Sequence, residues 1–150
     1  MRYLLLIVLI CSFSYSQPYT FLVKEYDKEI ELESKILAKI AKSAIHEKVI
    51  LYIPKITKFE ESIYSKLFTI SKTCQEANFV FVKKNLDKNL CKNKDKLYFT
   101  NNYKKLLSNK KYFGAFFWSK SRPNIVFIKD RLIAHHIHLP NSYTQFVEDL

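Results

Sequence analysis

Apolar positions recur along the chain in two rhythms, one helical and one β, and the changes between them outline the fold. From about Asp27 to Ile45 the period is helical, with Ile30, Leu37, Ala41 and Ala44 on one side and Ile36 and Ile40 flanking them. A short arm, Gln17 to Lys24, precedes this segment. Asp27 is placed to cap the helix, and Glu31 with Lys35 makes an i,i+4 pair of favourable order. Lys35, Lys39 and Lys42 fall on its far, solvated face. Val49 to Ile53 and Asn78 to Val82 are short runs apolar at nearly every position, as in strands covered on both faces. Phe59 to Leu67 suits a helix, while Leu67 to Ser71 suits an extra strand leading to Cys74, and the pattern leaves both readings open. Lys83 to Asp95, rich in Lys and Asn, reads as an exposed loop tethered by Cys91. Lys96 to Thr100 is a further strand and Asn102 to Leu107 a short helix.

A hairpin follows. Ala115 to Trp118 and Ile125 to Ile128 are its strands, joined by the polar tip SKSRPN, in which Pro123 presets φ. Gly114, the only glycine, stands where the first strand begins and signals a bulge or a close backbone approach. Asp130 to Ala134 reads as a helical turn, and Asn141 as the cap of a last helix ending near Glu148. Strands alternating with helices predict an α/β fold: one layered domain with a central mixed sheet of about five strands, an N-terminal helix packed on it, and a late hairpin followed by short helices.

The first residues change the setting. Met1 and Arg2 precede an apolar run, Leu4 to Cys11, and Ser14-Tyr15-Ser16 offers small residues where a signal peptidase reads. Residues 1–16 are therefore expected to be a cleaved signal peptide and residues 17–150 a single periplasmic domain. Ile10 before Cys11 argues against lipidation. In an oxidising compartment the remaining pair, Cys74 and Cys91, is expected to form a disulfide closing a loop of about 17 residues, with two free thiols as the alternative. The formal net charge is +11. Its basic residues are nearly all Lys, Arg2, Arg122 and Arg131 being the exceptions, and they are scattered, so export and composition together argue against nucleic acid. The charge suits an acidic partner or peripheral attraction to an anionic membrane.

A single glycine excludes the dinucleotide fingerprint, the phosphate-binding P-loop and the GxSxG elbow, each of which needs at least two. HExxH, CxxC and EF-hand patterns are absent, and the adjacent Glu60 and Glu61 would diverge on a helix, so no cofactor and no catalysis are expected. His135, His136 and His138 remain. In an extended segment His136 and His138 would share a face as two ligands of a Zn or Cu ion, with a third required from elsewhere. Trp118, Lys120 and Arg122 on the hairpin are the candidate partner-binding residues, because Trp and Arg are favoured as anchors.

The signal peptide, the helix KILAKIAKSAI leading into VILYIP, the CQEANFVFV segment and the late GAFFW and RPNIVF hairpin together resemble YfiR-like periplasmic proteins. The counterparts are Lys39 to Lys42, Val49 to Ile53, Cys74 before Phe79 to Val82, and Gly114 to Ile128. His46-Glu47 stands where that family has Trp-Pro. The chain is more closely similar to small secreted bacterial proteins ending in a GAFFW and RPNI hairpin, a likeness that implies no activity. The YfiR-like resemblance implies a non-catalytic module that binds the periplasmic side of a membrane-bound signalling protein, such as a diguanylate cyclase or sensor kinase, and restrains it. The alternative expectation is a periplasmic protein binding a small ligand or metal.

Overall fold

A computed structural model describes residues 19–83, 91 and 96–150, with side chains from Tyr26 onward. The expected signal peptide and most of the Lys83 to Asp95 loop lie outside the described residues.

The fold is α/β, built on a mixed sheet of seven strands among the described residues. Helix α1, Tyr19–Ala44, leads to strand β1, Ile50–Tyr52, and helix α2, Lys58–Tyr64, to β2, Thr69–Ile70. Strands β3, Phe79–Val82, and β4, Leu97–Thr100, follow. Helix α3, Tyr103–Ser108, precedes the hairpin strands β5, Tyr112–Ser119, and β6, Arg122–Ile128. Helix α4, Lys129–Ala134, a 3-10 turn, Asn141–Phe146, and β7, Val147–Glu148, complete the chain. The order across the sheet is β2-β1-β3-β4-β5-β6-β7. Strands β1 to β5 are parallel, β6 runs antiparallel to β5, and β7 runs parallel to β6.

Several expectations are corrected. Helix α1 begins at Tyr19 rather than Asp27, because no glycine or proline interrupts the sequence from there to Ala44, so Tyr19 to Lys24 of the expected arm is helical, Gln17 and Pro18 lie outside the described residues, and Asp27 is not a cap. Both readings of 59–71 hold, in sequence: α2 ends at Tyr64 and β2 follows. The sheet has seven strands instead of about five because β2 and β7 are two residues each, too short for a period of two to show. Asn141 starts a 3-10 turn ending in β7, not a final helix.

Alternation along the strands gives the sheet two apolar faces. Phe79, Phe81, Phe99 and Phe127 face α1 and α2, packing with Leu37, Ile40 and Ile63. Val80, Val82, Tyr98 and Val126 face the other way, toward Leu106 of α3 and the Cys74 and Cys91 pair. The phenylalanines are essentially inaccessible to water, each worth about 1.5–3 kcal/mol of burial.

Gly114 belongs to this packing. Tyr98 of β4 pairs with Tyr112, but Phe99 pairs with Gly114, so β5 carries one extra residue there and bulges. Its backbone has no positive φ; what requires glycine is space. A Cβ would lie 2.6 Å from the Phe99 ring, 2.8 Å from the Phe127 ring and 2.8 Å from the Val126 carbonyl oxygen. The close approach expected at this residue is thus a contact between one backbone and two aromatic rings.

Candidate functional site

The hairpin is tighter than its sequence suggests. Ser119 pairs with Arg122 and Trp118 with Pro123, so the turn is only Lys120-Ser121 and not the six residues SKSRPN. Both turn residues have positive φ, 49° and 58°, the geometry whose twist matches that of the strands. Pro123 is tolerated inside β6 because its pair with Trp118 is the non-hydrogen-bonded kind, which leaves the missing N–H on the outer edge. That edge is guarded by the same feature, since an incoming strand would find no donor at Pro123. Strand β4 ends opposite Ala115, and β5 continues for Phe116 to Ser119, so the hairpin arm extends about 13 Å past its neighbour. Lys120 and Arg122 are exposed at its tip. Trp118 is half-buried, edge-on to Phe116 with ring centres 5.8 Å apart.

The histidines sit differently from the extended segment expected for them. His135 caps α4, and His136 adopts a left-handed φ of 53°. The His136 N–H donates to the Ile133 carbonyl at 3.0 Å and the Ile137 N–H to the Leu132 carbonyl at 2.9 Å. With Ile137 and Leu132 both buried, this is a Schellman helix stop in which a histidine takes the glycine position. The alternation that would align His136 with His138 is therefore absent. Both are exposed, and among the described residues no group of three or more His, Cys, Asp or Glu is arranged to hold a metal ion.

Cys74 and Cys91 form a disulfide, with Cα atoms 5.5 Å apart. It is buried on the α3 side of the sheet, beside Val80, Val82 and Tyr98.

The strongest electrostatic feature was not legible as a site. Lys83, the residue after β3, continues the alternation of Phe79 and Phe81 and so points to the α1 side, not into an exposed loop. Its ammonium lies 2.8 Å from Glu33 of α1 and 2.7 Å from Glu60 of α2. Glu33 also accepts a hydrogen bond from the Tyr64 hydroxyl. Glu60 meanwhile accepts from the Thr57 N–H at 2.9 Å while Thr57 Oγ1 accepts from the Glu60 N–H at 3.2 Å, a complete capping box at the start of α2. The Thr57-x-x-Glu60 spacing is the one sequence signal that marks this region.

Burial opposes ionisation of the Glu60 carboxyl, but Lys83 and Thr57 outweigh it and hold its pKa below the usual value. Burial likewise disfavours the Lys83 ammonium, yet Glu33 and Glu60 more than compensate and raise its pKa. The Tyr64 phenol is pushed far above its usual range by burial and by the charge of Glu33, so it stays protonated and donates.

The location matters. β1 is flanked by β2 on one side and β3 on the other, so the chain changes direction across the sheet there, and the carboxyl ends of β1 and β3 mark the crevice where open α/β sheets bind ligands. Here Lys83 follows β3 directly and the two glutamates close over it. Two donors of its ammonium go to the two carboxylates, which makes the cluster an internal lock on α1, α2 and β3. Comparison with known protein families, with curated protein sequences and with solved structures finds no match to this chain.

Proposed function

We propose that the chain is a periplasmic, non-catalytic interaction module that regulates a membrane-bound signalling protein, such as a diguanylate cyclase or sensor kinase, in the manner of YfiR-like proteins. The observation that carries this reading is the projecting β5–β6 arm. It carries a half-buried Trp118 on the α1 face and an exposed Arg122, paired with Ser119, on the opposite face, with exposed Lys120 in the twist-matched turn between them, so the backbone that presents an anchor and two cations is set before a partner arrives. On the β6 side Pro123 disfavours strand addition, so docking there would go through side chains. The buried disulfide suits export to an oxidising compartment, as the apolar N-terminal run does. Among the described residues no helix is long and apolar enough to cross a membrane.

The test is affinity capture with residues 17–150 against detergent-solubilised membranes of the source organism, at low and moderate salt. Retention of one membrane signalling protein at moderate salt, lost in a folded Trp118→Ala/Arg122→Ala variant, is the expected result. Equal capture by that variant would remove the hairpin from the reading, and capture only of salt-sensitive background would remove the regulator itself.

A further inference from the structure

Helix α1 carries a second surface, unlike the hairpin. Two adjoining depressions of about 250 and 370 Å³ share Lys35 and Leu67 and form one open groove along the helix. Its apolar floor is Leu32, Ile36 and Ala38 of α1, with Ile63 of α2 and Leu67 beyond it. Leu32 and Leu67 remain 39% and 40% exposed and line the same depression, so their exposed apolar surfaces lie in one strip. Lys35, Lys39, Lys42 and Lys66 form the rim. Among the described residues none of the four makes an ion pair, and Glu31, the i,i+4 neighbour of Lys35, does not pair with it either.

We infer that this groove docks an amphipathic helix of a partner protein, one with apolar residues on one face and Asp or Glu beside them. Length, shape and charge each narrow the occupant. From Glu31 to Lys42 the groove runs twelve residues of α1, about 17 Å or three helical turns, which matches anchors at i, i+4 and i+7. The half-open floor would enclose too little of a small ligand, which normally loses about 70–90% of its surface to a pocket. A flat membrane would meet the lysines and leave the concave floor unfilled. Four cations against the single carboxylate of Glu31, around an apolar strip, select an anionic partner and set its orientation. The inference deepens the reading as an interaction module but uses a different face of it.

The probe is a synthetic helical peptide of about four turns, with Leu at i, i+4 and i+7 and Glu on both flanks, titrated against residues 17–150 and followed by fluorescence anisotropy at about 0.15 M salt. Saturable binding is expected, weakened about tenfold or more by Lys35→Glu/Lys39→Glu and also by Leu67→Ser, in variants whose circular dichroism is unchanged. A peptide with Lys in place of Glu should not bind. Binding that ignores Leu67→Ser and disappears with salt would overturn the proposal in favour of bare charge attraction. So would binding of phosphatidylglycerol vesicles without binding of the peptide, which would assign the face to a membrane. Because the assay contains no membrane protein and Trp118→Ala leaves the groove intact, its failure is separable from failure of the hairpin reading.

Discussion

Lys83 and Glu33 are fifty residues apart in sequence and 2.8 Å apart in space, and their pairing ties the first helix to the carboxyl end of the third strand. The same ammonium reaches Glu60, so three elements meet at one cation.

Removing that cation leaves two buried carboxylates without their counter-charge. Lys83→Met is expected to cost about 3–5 kcal/mol, a large part of the roughly 5–15 kcal/mol that holds a domain folded. Urea unfolding followed by circular dichroism measures it. A loss below about 1 kcal/mol would show that water, not Lys83, compensates the glutamates.

The cluster also sets a pH window. Glu60 has a folded pKa below its ordinary 4.5, so its contribution is present above that value and is lost as pH falls through the folded one. Lys83 has a folded pKa above its ordinary 10.5, so its contribution is complete below that value and is lost as pH rises through the folded one. Stability attributable to the pair should therefore be level between the two ordinary values and decline outside them. In Glu60→Gln the acid-side decline should be shallower in a series of urea melts. An identical acid limb in wild type and variant would mean that other carboxylates control it.

At Gly114 even one methyl group meets two rings and a carbonyl oxygen. Gly114→Ala is expected to lose about 1–3 kcal/mol, and Gly114→Val should fail to fold. Because the nearest atom belongs to Phe99, shortening that ring in Gly114→Ala/Phe99→Leu should lower the bulge clash, although the Val126 carbonyl cannot move as easily. Thermal melts decide the matter: a Gly114→Ala variant as stable as wild type would show that the rings simply step aside.

The Cys74–Cys91 bridge spans 17 residues, and its loss should cost roughly 3 kcal/mol through the freed unfolded chain. Comparing urea midpoints of wild type with Cys74→Ala/Cys91→Ala tests this. Coincident midpoints would indicate that the unfolded chain is already restrained in this segment.

Much of the architecture could be read locally. The period of 3.6 in α1, the apolar runs of β1, β3 and β6, and the single glycine before an aromatic run each report on their own neighbours, because helix and strand periodicity is a property of consecutive residues. An even pair of cysteines after an apolar N-terminal run led to the expected bridge, with two free thiols as the alternative. Boundaries were less legible where several signals compete, as at the start of α1 and in the hairpin, where turn-forming residues Arg122, Pro123 and Asn124 are drawn into β6 by pairing with β5.

What the tertiary structure decided is what depends on distant partners. In sequence Glu33 is one acidic residue among several on a helix, Glu60 is half of an adjacent pair, and Lys83 opens a lysine-rich stretch. Only the order of the strands brings them together. His136 is a metal candidate until helix α4 needs a left-handed stop. The lysines of α1 read as solvated until Leu67 arrives beside them from the segment after α2. Local periodicity selects the elements and their buried faces, whereas charge pairing and surface shape are set by which elements the sheet makes neighbours, and that information is distributed over the whole chain.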